Sequence, residues 1–121
     1  MIVAGFGYRT GASESSLRTA LALAQARAPH VTALAAPADK TSLLVSLAEV
    51  LAVPLIAVTP DALRAMETPT RSAVSLAARD TGSVAEAAAL AAAGEGAWLI
   101  ASRRISPDRM ATCAIAQGLC S

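Results

Sequence analysis

The stretch Ile2-Val3-Ala4-Gly5-Phe6-Gly7-Tyr8-Arg9-Thr10-Gly11-Ala12-Ser13 holds the residues best suited to binding chemistry. An apolar run breaks into glycines, then an aromatic, an arginine and small hydroxyl residues, and a helical pattern follows at once. This reads as a buried strand, a tight loop and a helix N-terminus. Unpaired backbone N–H groups point outward at such a junction and attract anions. Glycine permits positive φ and close approach to the backbone. Arg9 adds a forked cation suited to a carboxylate or phosphate. Gly5, Gly7, Tyr8, Arg9 and Ser13 are therefore candidate ligand-binding residues.

Three further segments carry polar groups to the ends of elements. Asp39-Lys40 opens a second helix at the C-terminal side of the sheet, which makes Lys40 a neighbour of the glycine loop. Thr81-Gly82-Ser83 presents another helix N-terminus, and Ser83 with Glu86 has the spacing of a capping box. Ser102-Arg103 closes the fourth expected strand. Other chemistries find no support. Position 10 is Thr10, and Gly11 comes one residue late for a dinucleotide fingerprint. No acid ends the second strand, and Gly11 is not followed by Lys-Ser/Thr. His30 is the single histidine. With Cys113 and Cys120 far from it, no metal set forms, and no Ser-His-Asp arrangement can be assembled. No metal and no cofactor are expected.

Elements must position these groups. Ile2 to Phe6 reads as a buried strand, and Ser13 caps a helix to about Arg27 with Leu17, Ala20, Leu21, Ala24 and Ala28 at packing intervals. Val31 to Ala35 is a second strand, followed by a turn at Pro37-Ala38-Asp39. A second helix carries Leu43, Leu44, Leu47, Ala48 and Leu51 on one side, and Leu55 to Val58 is a third strand. Thr59-Pro60-Asp61 starts a short helix through Met66, and residues 70–79 read as helical. A helix from Ser83 through Ala93 stops at Gly94. Ala97 to Ala101 is a fourth strand, Arg103 to Asp108 a polar turn, and Arg109 to Ala116 a fifth strand antiparallel to the fourth. Strands separated by helices predict right-handed crossovers and a parallel core. The expected fold is one α/β domain over residues 1–121: three layers, α/β/α, around a mixed, mainly parallel five-stranded sheet with a C-terminal antiparallel hairpin.

Composition narrows the function classes. Hydrophobic residues make up 55% but aromatics only 2%, so the core should be closely spaced and alanine-rich. A formal charge of +1 leaves no electrostatic footprint for nucleic acid. The first apolar run is too short for a signal peptide, and no segment is long enough to span a membrane. Cys113 reads as a small core residue. Nothing suggests a disulfide framework, which points to the cytoplasm.

Several pieces match one family in order. These are Gly5-Phe6-Gly7-Tyr8-Arg9-Thr10-Gly11, Asp39-Lys40, Thr81-Gly82-Ser83-Val84-Ala85-Glu86-Ala87-Ala88-Ala89, Ser102-Arg103 and Ala111-Thr112-Cys113-Ala114-Ile115-Ala116. On them the chain resembles the CobE and CbiG C-terminal domain family of cobalamin biosynthesis. Tyr8 stands where the family has Cys or Ser, Arg103 where it often has Lys, and Thr41-Ser42 where it has an acidic stretch. The resemblance implies a domain acting on precorrin intermediates. It binds one as a carrier or accessory component, opens its lactone as a hydrolase, or docks onto another pathway enzyme. A corrin intermediate carries many carboxylates around an apolar macrocycle, which suits glycine backbone, helix N-termini and arginine beside alanine-rich walls. Ser83 and Ser102-Arg103 are expected to line the same cleft as Arg9. For Ser83 this is taken to require that residues 59–79 return the chain across the sheet before its helix begins.

Overall fold

The computed structural model describes residues 1–9, 11–26, 30–59, 61–62, 84–94 and 96–118. In chain order these form β1 (Ile2–Tyr8), α1 (Glu14–Gln25), β2 (Ala33–Pro37), α2 (Val45–Leu51), β3 (Leu55–Val58), α3 (Val84–Ala93), β4 (Trp98–Ile105) and β5 (Ala111–Gln117). Short 3-10 turns at Ala38–Lys40 and Ser42–Leu44 precede α2. The strands make one five-stranded sheet in the order β3-β2-β1-β5-β4. β1, β2 and β3 are mutually parallel, while β5 is antiparallel to both β1 and β4. β4 therefore runs in the same direction as β1. The C-terminal ends of β1, β2, β3 and β4 share one edge of the sheet.

Successive side chains on a strand face opposite ways, and β1 divides the core accordingly. Ala4 and Phe6 pack with Leu17, Leu21, Leu34, Leu44, Leu47, Cys113 and Ile115 under α1 and α2. Val3 packs with Ala33, Ala35, Val58, Ala87 and Ala88 under α3. The expected α/β class and mixed five-stranded sheet are thus found. The two cores differ in kind: the first is filled by large side chains, the second mainly by alanine.

That difference follows from how closely α3 lies on the sheet. A Cβ placed on Gly5 would sit 2.2 Å from the Ala85 carbonyl oxygen and 2.4 Å from the Ala89 nitrogen. One on Gly118 would sit 2.6 Å from the Ala93 carbonyl oxygen. Gly5 in β1 and Gly118, the residue just past the end of β5, thus seat both halves of the helix. The sequence suggests that Gly5 opens a path for a ligand; in the fold it is buried, and what approaches it is the α3 backbone.

Element bounds shift for physical reasons. β1 runs two residues further than expected because Gly7 and Tyr8 stay paired with Thr112 and Ala111. β2 begins at Ala33, opposite Val3, and Pro37 ends the strand instead of opening a turn. β4 continues past Ala101 to Ile105, so Arg103 and Arg104, which the composition suggests are turn residues, belong to the strand. β4 is an edge strand, where charged side chains reach water and discourage further pairing. β5 accordingly starts at Ala111 instead of Arg109. On α2, Leu51 is exposed, although its spacing places it on the packed side. The helix expected at 70–79 lies outside the described residues, as do Arg27, Ala28 and most of the helix expected after Thr59.

Gly5→Ala has no room to be accommodated by a rotamer change, because the obstructing atoms are backbone. It should lower stability by about 3 kcal/mol, at the upper end of overpacking costs, read as a fall in the urea midpoint with unchanged slope. Wild-type stability in that variant would contradict the seat described for α3.

Candidate functional site

The edge shared by the four strand ends is built first from the β1–α1 junction. The Arg9 N–H donates to the Met110 carbonyl at 2.9 Å, which carries the β1–β5 pairing one residue past Tyr8. The chain then turns: the Ala12 N–H donates to the Arg9 carbonyl at 3.0 Å, and Gly11 takes φ 92. Ser13 is the N-cap of α1, its hydroxyl accepting the Ser16 N–H at 3.3 Å. Beside this loop, after β2, the Lys40 ammonium lies 5.1 Å from the centroid of the Tyr8 ring, within cation–π range. Tyr8, Arg9, Ser13 and Lys40 thus come together at one place.

The start of α3 arrives at the same edge. A Cβ on Gly7 would lie 3.5 Å from the Val84 side chain and 3.1 Å from the Thr112 Oγ1. The anticipated return across the sheet is not needed. β4 is parallel to β1, so the helix before it runs back from the C-terminal edge. Thr59 and Val84, which flank the intervening segment, both lie at that edge. Ser83 itself is outside the described residues. Gly7 faces the first turn of α3, so a larger residue there disturbs the helix before it could block a ligand.

Glu86 in that first turn is fully buried, and its Oε2 accepts the Arg103 N–H at 3.0 Å. The register between β4 and β5 shifts between Ala101 and Arg104. Arg103, half-buried, and Ser102, exposed, occupy that irregular stretch. Its Ser83 spacing marks Glu86 as a local cap; the bond to a different element has no signature in the sequence.

The β4–β5 turn completes the edge. The Arg109 N–H closes it on the Ser106 carbonyl at 2.8 Å. The Asp108 carboxylate accepts from the Ser106 hydroxyl and from the Ser16 hydroxyl of α1, both at 2.5 Å, and from the Met110 N–H at 3.1 Å. These bonds hold its pKa below the ordinary 3.8, the Ser106 bond contributing most. Ser16 and Ser106 are buried, so the carboxylate also satisfies two hydroxyls that would otherwise be costly to bury. Asp108 ties the turn to the first helix. Sequence reasoning misses this because Ser16 and Asp108 are 92 residues apart.

Charge is distributed unevenly in what it still has to offer. Arg9, Arg103, Arg104 and Arg109 enter no ion pair with a described residue, and the pair Glu14–Arg18 lies on α1. The acids nearby are engaged: Asp108 takes three hydrogen bonds, Glu86 holds Arg103, and Asp39 and Asp61 also have partners. Guanidinium donors are left over where carboxylate lone pairs are used. Among the described residues no cluster of His, Cys, Asp or Glu is placed to hold a metal ion. Among them too, no helix is long and apolar enough to cross a membrane. Burial pushes the Cys113 thiol up, so it acts as core material rather than as a nucleophile.

Asp108→Asn should lower Tm at neutral pH. The wild-type advantage is complete above the ordinary carboxylate value, because the stabilisation from a lowered pKa reaches its full size once the group is ionised in both states. It should shrink as pH falls below 3.8 through the lowered pKa, so thermal melts of the two proteins converge in acid. A gap that stays constant from neutral pH to pH 2 would contradict the ionic role.

Three solved structures share this architecture. A solved structure of CobE, a protein from the cobalamin (vitamin B12) biosynthetic pathway, is 34% identical with a TM-score of 0.86, covering 98% of this chain and 91% of that one. The cobalamin biosynthesis protein chiG of Agrobacterium tumefaciens is 32% identical with a TM-score of 0.74, covering 98% of this chain and 99% of that one. A solved protein from Sulfolobus solfataricus shares the fold at 19% identity and a TM-score of 0.73, and this chain spans 36% of its length. No curated protein matches at a significant level. The family described as Cobalamin synthesis G C-terminus matches residues 2–116, and the chain belongs to that family, with a role in cobalamin biosynthesis.

Proposed function

We propose that this protein binds a precorrin, a tetrapyrrole intermediate of cobalamin synthesis, along the C-terminal edge of its sheet, acting in the cytoplasm as a carrier or accessory component. The observation that carries this reading is the set of arginines at that edge, Arg9, Arg103 and Arg104, without ion pairs to described residues. A macrocycle rimmed by carboxylates offers them bidentate partners. Lys40 beside the Tyr8 ring adds a cation and an aromatic face. The Ser13-capped start of α1 adds the positive end of a helix dipole. Ser102 lies on β4 toward the same edge, and Ser83 directly precedes α3 in the sequence.

Uroporphyrin, a stable tetrapyrrole rimmed by carboxylates, serves as the probe. Its absorbance titration should show saturable binding that weakens with added salt. A charged hydrogen bond contributes about 1.5–3 kcal/mol, so Arg9→Ala should weaken binding by roughly ten- to hundredfold while circular dichroism stays unchanged. An unchanged titration in the folded variant would refute the site. The isolated chain should not turn over a lactone-bearing precorrin; repeated lactone opening by purified protein would assign it instead to hydrolysis.

A further inference from the structure

We infer that Arg109, at the tip of the β4–β5 turn, is a second carboxylate anchor, held beside Arg9 in a backbone conformation that glycine would adopt more easily. The inference rests on the binding reading above and adds a residue that the sequence pattern does not single out. Arg109 has φ 61. Side chains on L residues crowd the backbone in that region, and hairpin turns commonly give such a position to glycine. Elsewhere this chain does so: Gly11, Gly94 and Gly96 take φ 92, 97 and 82. The other described non-glycine residue with positive φ is Ala52, φ 58, which ends α2. It carries only a methyl group. A long cationic side chain at such a position adds nothing to the fold that glycine would not supply, and Arg109 has no ion pair with a described residue.

The turn is fixed in place rather than left to wander. Asp108 binds Ser16 of α1 and Ser106 of the turn. The next residue but one, Met110, accepts the Arg9 N–H through its carbonyl. Its terminal methyl lies 3.6 Å from where a Cβ on Gly11 would sit. Arg109 and Arg9 therefore leave the backbone from two segments that are hydrogen-bonded one residue away. Two guanidinium groups rooted so close suit adjacent carboxylates on one rim of a macrocycle.

Three variants test this with uroporphyrin. Arg109→Gly should raise Tm by about 2–4 °C, from relief of the backbone, and weaken binding about tenfold, the loss of one charged contact. A residue kept for structure would not give that combination. Arg109→Gln keeps the backbone conformation and removes the charge, so it should leave Tm near wild type and weaken binding similarly. Ala52→Gly, away from the edge, should raise Tm and leave binding alone. Wild-type affinity in Arg109→Gln or Arg109→Gly, with Arg9→Ala weakened, would overturn the role of Arg109 and leave the binding site standing. Wild-type affinity in all of them, Arg9→Ala included, would overturn the site itself.

Discussion

The contact on which this molecule depends is the seating of α3 on the backbones of β1 and β5. Two glycines make it possible: Gly5 under Ala85 and Ala89, and Gly118 under Ala93. At such separations no Cβ fits, so the helix and sheet are locked in one register by backbone against backbone. The alanines of α3 at 85, 87, 88 and 89 are all buried as a result. Glycine at a close approach of secondary elements is a packing requirement, and here it sets the distance for everything attached to α3.

That distance brings Glu86 near enough to β4 to hold the Arg103 N–H where the β4–β5 register is irregular. It also brings Val84 against the end of β1 at Gly7. On the opposite face, α1 is tied to the hairpin turn through Ser16 and Asp108. The edge is thus braced from both layers, each brace being a carboxylate bound by neutral donors. Because the acids are engaged in this way, the arginines around them keep their donors.

Much of the architecture is legible in the residues. Alternation and short apolar runs locate all five strands, Ser13 marks the start of α1, and Gly94 ends α3 in the left-handed conformation. What sequence reasoning misplaces is what depends on neighbours. Gly5 invites a ligand when read alone, and only α3 shows what actually approaches it. Arg103 and Arg104 look like a turn because a polar run is ambiguous until the strand is known to be an edge. Glu86 resembles a local cap because capping is the pattern that four residues can reveal, whereas its bond to Arg103 spans two elements. Tyr8, Arg9, Ser13 and Lys40 are gathered correctly because they sit at the ends of adjacent parallel elements, where topology alone fixes their company.

The alanine and glycine interface beneath α3 has an entropic corollary. Neither residue has side-chain rotamers to lose on burial, so this layer is assembled without the ordering cost that leucine or methionine would bring. It also has no alternative rotamers to adopt later. The sheet side of this edge is consequently a stiff platform. The conformational freedom of this edge lies instead in the long side chains of Arg9, Arg104 and Arg109, exposed at its rim.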